Sequence, residues 1–176
     1  MPLLKKNALV SDIWIHADAE GELPNAGDVI VPFARLLREW GALSQRSGRL
    51  GVQFGNADRP EALASFIPTL SVIVLPFPAF NDGRAYSIAR KLREMGFKGE
   101  LRATGNVLPD QLQFMLQVGF DSFEIGERFP LETWQQASKQ MSLAYQRGLF
   151  RRGSEAEIWT ERHTDAEPWL EQPHAG

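Results

Sequence analysis

The sequence contains no cysteine among its 176 residues. A thiolate nucleophile, a disulfide, a CxxC redox pair and a cysteine-ligated iron–sulfur cluster are therefore excluded. If the protein moves electrons, a bound cofactor must carry them. No sequence motif encodes a cofactor site, so the identity of any cofactor is left open.

Histidine is also scarce, with only His16, His163 and His174 in the chain. A histidine metal site or a Ser-His-Asp arrangement in the body would have to use His16, and no nucleophile motif accompanies it. We interpret His16 as a strand-end residue without a catalytic role and predict no metal site. The GxGxxG, GxxxxGK[ST], HExxH and GxSxG signatures are absent as well.

The chain has no excess of positive charge, and its formal net charge is −3. Residues 151–176 hold three arginines and six acidic residues, so residues 1–150 are balanced. This argues against a nucleic-acid surface, which needs basic residues to capture phosphates. No apolar run is long enough for a membrane span or a signal peptide, and we expect a cytoplasmic protein without membrane contact.

Strands and helices alternate along most of the chain. Short strands are predicted at 12–16, 28–31, 50–54, 70–75, 100–104 and 121–125, and helices at 33–40, 60–66, 84–95, 107–118 and 130–148. This order predicts an α/β fold with a mostly parallel sheet of successive βα units, either open and doubly wound or half-barrel-like. We expect one domain over residues 1–150, with a long C-terminal helix, followed by a polar tail at 151–176.

The loop after the strand at 71–75 is the best candidate site. Pro76 and Pro78 are expected to end that strand, and Asn81 or Asp82 to cap the helix that starts at Arg84. Ligands of parallel α/β proteins bind at the carboxyl ends of strands. The candidate site comprises Asp82 as general acid or base, Arg84 as an anion clamp, and Asn81, Gly83, Thr104, Asn106 and Arg102 as further anion-binding or orienting groups.

Arg84 and Arg102 each allow two interpretations. Arg84 either bonds to Asp82 or to loop carbonyls, or a bound anion offsets its unfavourable position at a helix N-terminus. Arg102 either forms a cross-strand ion pair with Glu124 that fixes the register, or belongs to the polar lining of a concave sheet face together with Gln53. Spacing alone leaves both pairs of alternatives open.

The segments FNDGRAYSIARKLR at 80–93, GFKGELRA at 96–103 and GFDSFE at 119–124 resemble a bacterial family of unassigned function. The resemblance is dense over 75–124, thinner over 14–75 and absent after 149. Genes of that family commonly lie in sulfate-assimilation loci beside sulfite reductase, and its members are often labelled as oxidoreductases involved in sulfite reduction. The resemblance thus implies a pathway, and it supplies no catalytic residue.

The tail at 153–176 is acidic and contains Pro168 and Pro173, so we expect it to be flexible. Trp159 and Trp169 are common types of interface anchor, and the tail is interpreted either as a partner-binding arm or as a segment that packs on the long helix.

Three functions follow from these observations. The first is an accessory protein of assimilatory sulfite reduction that binds sulfite reductase or a small oxyanion. The second is an enzyme, such as an oxidoreductase, with a cofactor or an anionic substrate at the carboxyl ends of the strands. The third is a protein-interaction scaffold without a ligand. The oligomeric state is not predicted.

Overall fold

One sheet of eight strands organises the part of the chain that the computed structural model describes, residues 2–24 and 26–139. The strands are β1 (Leu3–Lys5), β2 (Ala8–Val10), β3 (Ile15–His16), β4 (Val29–Pro32), β5 (Leu50–Gln53), β6 (Leu70–Phe77), β7 (Glu100–Gly105) and β8 (Ser122–Glu124). The described helices are α1 (Phe33–Leu43), α2 (Arg84–Glu94), α3 (Leu112–Val118) and α4 (Leu131–Lys139), with 3₁₀ turns at Pro60–Leu63 and Pro109–Gln111. The predicted α/β class is confirmed.

The strand order is β2-β1-β8-β7-β6-β5-β4-β3. Strands β3 to β8 are parallel and follow each other in chain order, whereas β1 and β2 are antiparallel additions beside β8. Because each strand lies next to its predecessor, successive right-handed crossovers place the helices on the same face of the sheet. The sheet is therefore the half-barrel alternative of the prediction and not the doubly wound one.

The two edges of this sheet lie close together. Strands β2 and β3 are at opposite edges, yet only four residues, 11–14, connect them. Five extended residue steps reach about 17 Å, whereas a flat sheet of eight strands measures about 34 Å from edge to edge. The sheet must therefore curl strongly, and the segment 11–14, here called the crossing segment, passes over the gap between its edges.

The two sheet faces differ in chemistry. On the convex face, Ile73, Leu75 and Phe77 of β6 belong to the main core, together with residues of all four helices. On the concave face, Val72 and Val74 pack with two further apolar residues, Trp14 and Ile30. The rest of the concave face is polar, as described below.

Pro76 lies inside β6, which corrects the predicted end of that strand at Leu75. The amide of Phe54 donates to the carbonyl of Val74, so Val74 and Pro76 both direct their backbone groups toward β5. Strand β5 ends at Gln53, so no residue of that strand would accept a hydrogen bond from the backbone of Pro76. The absence of an N–H at Pro76 therefore costs the sheet no hydrogen bond.

Two further expectations about the amino-terminal half were wrong or incomplete. Helix α1 does not end at Gly41 but continues to Leu43, because Leu43 is buried against the core. The hairpin of β1 and β2 was not predicted, since its turn residues Lys6 and Asn7, both with positive φ, lack the usual Asn-Gly pattern. Trp14, whose orientation was open, points inward, and Ile13 is exposed.

The predicted long C-terminal helix is described only over Leu131–Lys139. Its continuation to 148 and the tail with Trp159 and Trp169 lie outside the described residues. Among the helices that are described, none has the length and apolar character needed to cross a membrane.

The close packing of the concave face around Gly51 can be tested by substitution, with Gly41 as the comparison. An added Cβ at Gly51 would collide with the Val72 side chain and lie 2.9 Å from Ile30 Cγ1, whereas one at Gly41 would meet no atom within 4 Å. We expect Gly51→Ala to lower the free energy of unfolding by about 1–3 kcal/mol through overpacking. The control Gly41→Ala, in a helix, should raise it by about 0.5–1 kcal/mol. Urea denaturation measures both, and equal effects of the two substitutions would contradict this packing.

Candidate functional site

The loop between β6 and α2 is held in place by amide side chains from three other parts of the chain. The side-chain amide of Asn56 donates to the carbonyl of Pro76 (2.9 Å), and that of Asn106 donates to Pro78 (2.6 Å). Gln111 in turn donates to the carbonyl of Phe80 (2.8 Å). The loop is thus fixed at the carboxyl edge of the sheet, where the predicted site lies.

Arg84 and Asp82 form a bidentate ion pair in this loop. Arg84 Nε lies 2.9 Å from Asp82 Oδ1, and Arg84 Nη2 lies 2.7 Å from Oδ2. The backbone N–H of Arg84 also donates to Oδ1 (3.2 Å). The anion that offsets the position of Arg84 at the helix N-terminus is therefore the Asp82 carboxylate.

The helix cap differs from the prediction. Gly83 occupies the N-cap of α2 without a side-chain hydrogen bond, in place of the predicted Asn81 or Asp82. Asp82 bonds the amide two residues ahead instead, as aspartate does in an Asx-turn. Asn81 lies exposed beside it.

The ion pair sets the protonation of Asp82. Hydrogen bonds from the Arg84 side chain and backbone hold the pKa of the Asp82 carboxyl well below its usual range. Asp82 is thus ionised near neutral pH and is a poor general acid, although it can orient Arg84. Arg84 itself has a raised pKa because of the Asp82 carboxylate, and its side chain is 61% exposed.

The concave sheet face carries a second polar cluster, centred on Arg102. This side chain is 1% exposed, and its Nη1 donates to Asp12 Oδ2 of the crossing segment (2.7 Å). Its Nε and Nη2 both donate to Glu100 Oε1 (3.1 Å each), and Nη1 lies 3.7 Å from Glu124 Oε1. The cross-strand pair with Glu124 therefore exists, but it is the longest of three contacts.

Neighbouring groups complete this cluster, which we call the concave cluster. Lys5 and Ser122 each donate to Glu100 (2.6 Å), and Thr104 donates to Glu124 Oε2 (2.7 Å). The two interpretations of Arg102 are thus combined, since it forms ion pairs and lines a polar concave face. Gln53, the other predicted lining residue, is exposed at the end of β5.

Two carboxylates of the concave cluster, those of Asp12 and Glu100, are stabilised in their charged form. Burial alone would raise the pKa of the Asp12 carboxyl, but hydrogen bonds from Arg102 and Trp14 outweigh it and lower that pKa. Burial would likewise raise the pKa of the Glu100 carboxyl, but hydrogen bonds from Lys5 and Ser122 outweigh it and lower that pKa. Arg102 has a raised pKa, because Asp12 and Glu100 outweigh its desolvation.

The predicted site residues thus fall into two groups. The first group lies at the carboxyl edge of the sheet: Asn81, Asp82 and Gly83 are in the loop between β6 and α2, Arg84 begins α2, and Asn106, which follows β7, donates to that loop. Thr104 and Arg102 instead bond to carboxylates of the concave cluster. Since Thr104 alternates with Ala103 along β7, it belongs to the concave face and does not orient a ligand in the loop.

Sequence reasoning missed several residues of the loop and of the concave cluster, among them Asp12, Asn56 and Gln111. Asp12 precedes Arg102 by 90 residues, and no spacing pattern connects them. Asn56 and Gln111 brace the loop, although Gln111 has the sequence context of an ordinary surface glutamine. The roles of Asn56 and Gln111 can be recognised only in the tertiary structure, because both side chains donate to backbone carbonyls, which every residue type has.

The model of a family described as a bacterial protein of unknown function (DUF934) matches residues 51–154, more than half of the chain. The match includes the loop, β7 and β8, whereas Asp12 and Lys5 lie before it. No curated protein and no solved structure matches the chain.

The concave cluster predicts a large effect of removing Arg102. Arg102→Met removes the cation that three carboxylates of the concave face share, and among the described residues only Glu100 keeps another, that of Lys5. We expect the free energy of unfolding to fall by about 3–5 kcal/mol. The control Arg84→Met removes an exposed cation and should change stability little. Glu124→Gln should have a smaller effect than Arg102→Met, because Arg102 keeps two carboxylates and Thr104 keeps an acceptor.

The effect of Arg102→Met should also depend on pH. Because the folded-state pKa values of Asp12 and Glu100 are lowered, these groups contribute stability above about pH 5 and lose it as pH falls below about 4. The difference between the native protein and Arg102→Met should therefore shrink in acid. Denaturant melts from pH 7 to pH 3 test this, and a constant difference would show that Arg102 acts by packing alone.

Proposed function

The chain belongs to the bacterial family of unknown function whose model it matches, and on that premise we propose that it is an accessory protein of assimilatory sulfite reduction that binds sulfite reductase. The resemblance of residues 80–93, 96–103 and 119–124 supports the pathway. The lack of cysteine supports a role in binding over one in thiol or iron–sulfur redox chemistry.

The observation that carries this proposal is an aromatic surface, in which Phe114 packs on Tyr86 and the exposed Phe80 lies in the neighbouring loop that Gln111 holds. Phe80 is 61% exposed and Phe114 is 52% exposed. Phe114 packs edge-to-face on Tyr86, with ring centroids 4.9 Å apart, and Tyr86 packs on the buried ring of Phe77 at 5.1 Å. Large aromatic side chains in water are unfavourable for a monomer and are typical anchors of protein interfaces.

The aromatic surface is held rigidly and has a charged rim. The side chain of Gln111 donates to the backbone carbonyl of Phe80, and Gln111 directly precedes α3, which carries Phe114. This hydrogen bond therefore joins the loop of Phe80 to α3. The Arg84–Asp82 ion pair follows Phe80 along the chain. Asp110 lies close to Tyr86, because its negative charge raises the pKa of Tyr86, in addition to the larger effect of burial. An aromatic centre with a charged rim is the usual composition of a protein-binding surface.

A second candidate ligand is a small oxyanion, which Arg84 favours. Asp82 occupies Nε and Nη2 of Arg84, and among the described residues none accepts a hydrogen bond from Nη1. An oxyanion such as sulfite would bind there beside Asn81. An enzyme that uses Asp82 as a general acid is less favoured, because Arg84 keeps Asp82 ionised.

The partner proposal predicts that Phe80→Ala and Phe114→Ala each weaken binding to sulfite reductase from the same organism by about tenfold or more, since truncation of an aromatic anchor removes a buried contact. Leu37→Ala is the matched control, because Leu37 is also an apolar side chain that is 52% exposed, but it lies on α1. Biolayer interferometry with immobilised sulfite reductase measures the three affinities. Absence of binding by the native protein would refute the partner, and equal losses in all three variants would refute the surface.

The oxyanion proposal predicts that sulfite binding, measured by isothermal titration calorimetry, is lost in Arg84→Gln. Arg90→Gln is the control, because Arg90 has the same 61% exposure and is also paired with a carboxylate, that of Glu94. Binding that survives in Arg84→Gln, or that is lost in both variants, would contradict a site at Arg84.

A further inference from the structure

We propose that Asp12, His16 and Glu124 bind a divalent first-row transition metal ion such as Zn²⁺ where the crossing segment passes the concave face. One ligand atom from each residue can be chosen so that all three lie within 4.8 Å of one another. Ligands of one ion with bonds of about 2.1 Å lie at most about 4.2 Å apart, so a shift of less than about 1 Å would close the site. This departs from the expectation that His16 has no role.

Asp12 and His16 already have the spacing of two ligands on one ion. His16 Nε2 lies 3.3 Å from Asp12 Oδ2, a separation that suits adjacent ligands with bonds of about 2.1 Å. The backbone N–H of Trp14 donates to Asp12 Oδ1 (3.1 Å), and His16 is held by its pairing with Ile30 in β4. A metal ion would take the place of the hydrogen bond between these two side chains.

Glu124 provides independent support, because one of its oxygens accepts no hydrogen bond from the described residues. Its Oε1 is shielded from solvent and accepts no hydrogen bond from the described residues, while Oε2 is fixed by Thr104. The nearest cation, Arg102 Nη1, is 3.7 Å from Oε1 and beyond hydrogen-bond distance. A buried carboxylate oxygen without a donor is unfavourable, and a metal ion would satisfy it.

The charge of the concave cluster also suits a cation. Asp12, Glu100 and Glu124 supply three negative charges, against the positive charges of Arg102 and Lys5. One negative charge is thus uncompensated before His16 is counted. Arg102 does not have to leave when the ion binds, because its Nε and Nη2 remain on Glu100 and its Nη1 can orient the Asp12 carboxylate, as partners of metal ligands commonly do.

The donor set indicates the class of metal. One imidazole nitrogen and two carboxylate oxygens, without sulfur, suit Zn²⁺, Mn²⁺ or Ni²⁺ better than Cu⁺. Three protein ligands leave at least one coordination position for water or a further ligand. The His16 side chain is nearly half exposed, so solvent has access to the site.

The test is calorimetric titration of the chelator-treated full-length protein with Zn²⁺. We expect the native protein to bind one ion, and His16→Ala and Glu124→Gln each to weaken that binding at least about tenfold. The matched control is a double variant, His163→Ala with His174→Ala, which removes the other two histidines of the chain and should bind as the native protein does.

Thermal melts provide a second readout that does not depend on heats of binding. Zn²⁺ should raise the melting temperature of the native protein and of the tail double variant, and it should not raise that of His16→Ala. Among the described residues the side chain of His16 hydrogen-bonds only to Asp12, and its backbone pairing with β4 is kept in alanine, so His16→Ala is expected to fold. No binding by the native protein, unchanged affinity in His16→Ala, or loss of affinity in the tail variant would each overturn the site.

Discussion

The burial of the Arg102 guanidinium is the constraint on which the rest of this structure depends. A charge that is 1% exposed must be compensated nearby, because an unpaired buried charge would be strongly destabilising. Its compensation comes from Asp12 of the crossing segment, Glu100 of the same strand and Glu124 of β8, and Glu100 in turn binds Lys5 of β1. One side chain therefore ties the hairpin, the last described strand and the crossing segment to β7, and these contacts hold the curled sheet.

The two faces of the sheet carry different kinds of residue, and β7 shows this most clearly. Apolar residues of β7, Leu101 and Ala103, belong to the core under the helices, and the alternate residues Glu100, Arg102 and Thr104 face the concave side. A parallel strand buried on both faces is normally apolar throughout. The polar residues of β7 are tolerated because the described helices pack on the other face of the sheet, and the crossing segment supplies a carboxylate on the concave face.

The repeating part of this fold could be predicted from sequence, because its signals are local. Apolar β-branched runs such as Val72–Leu75 and helical spacing such as Ala85, Ile88, Ala89 and Leu92 depend on neighbours within one element. The loop with Asp82 and Arg84 was found for the same reason, since it follows one such strand. The contacts of Asp12, Asn56 and Gln111 were not predicted, because each joins residues that only the sheet order brings together. The strand order settled the choice between a doubly wound sheet and a half-barrel, and no single segment encodes it.

The separation between the loop and the concave cluster follows from the geometry of β7. Arg102 and Thr104 point to the concave face, but the strand then ends at Gly105, whose positive φ of 90° and contact with the Phe77 carbonyl leave no room for a side chain. That turn places Asn106 beside the loop, where its backbone N–H donates to Phe77 and its side chain to Pro78. One strand thus supports a charged cluster through its interior residues and a rigid aromatic surface through its end. Strand β7 and Asn106 therefore connect the two proposed binding regions, although these regions share no side chain.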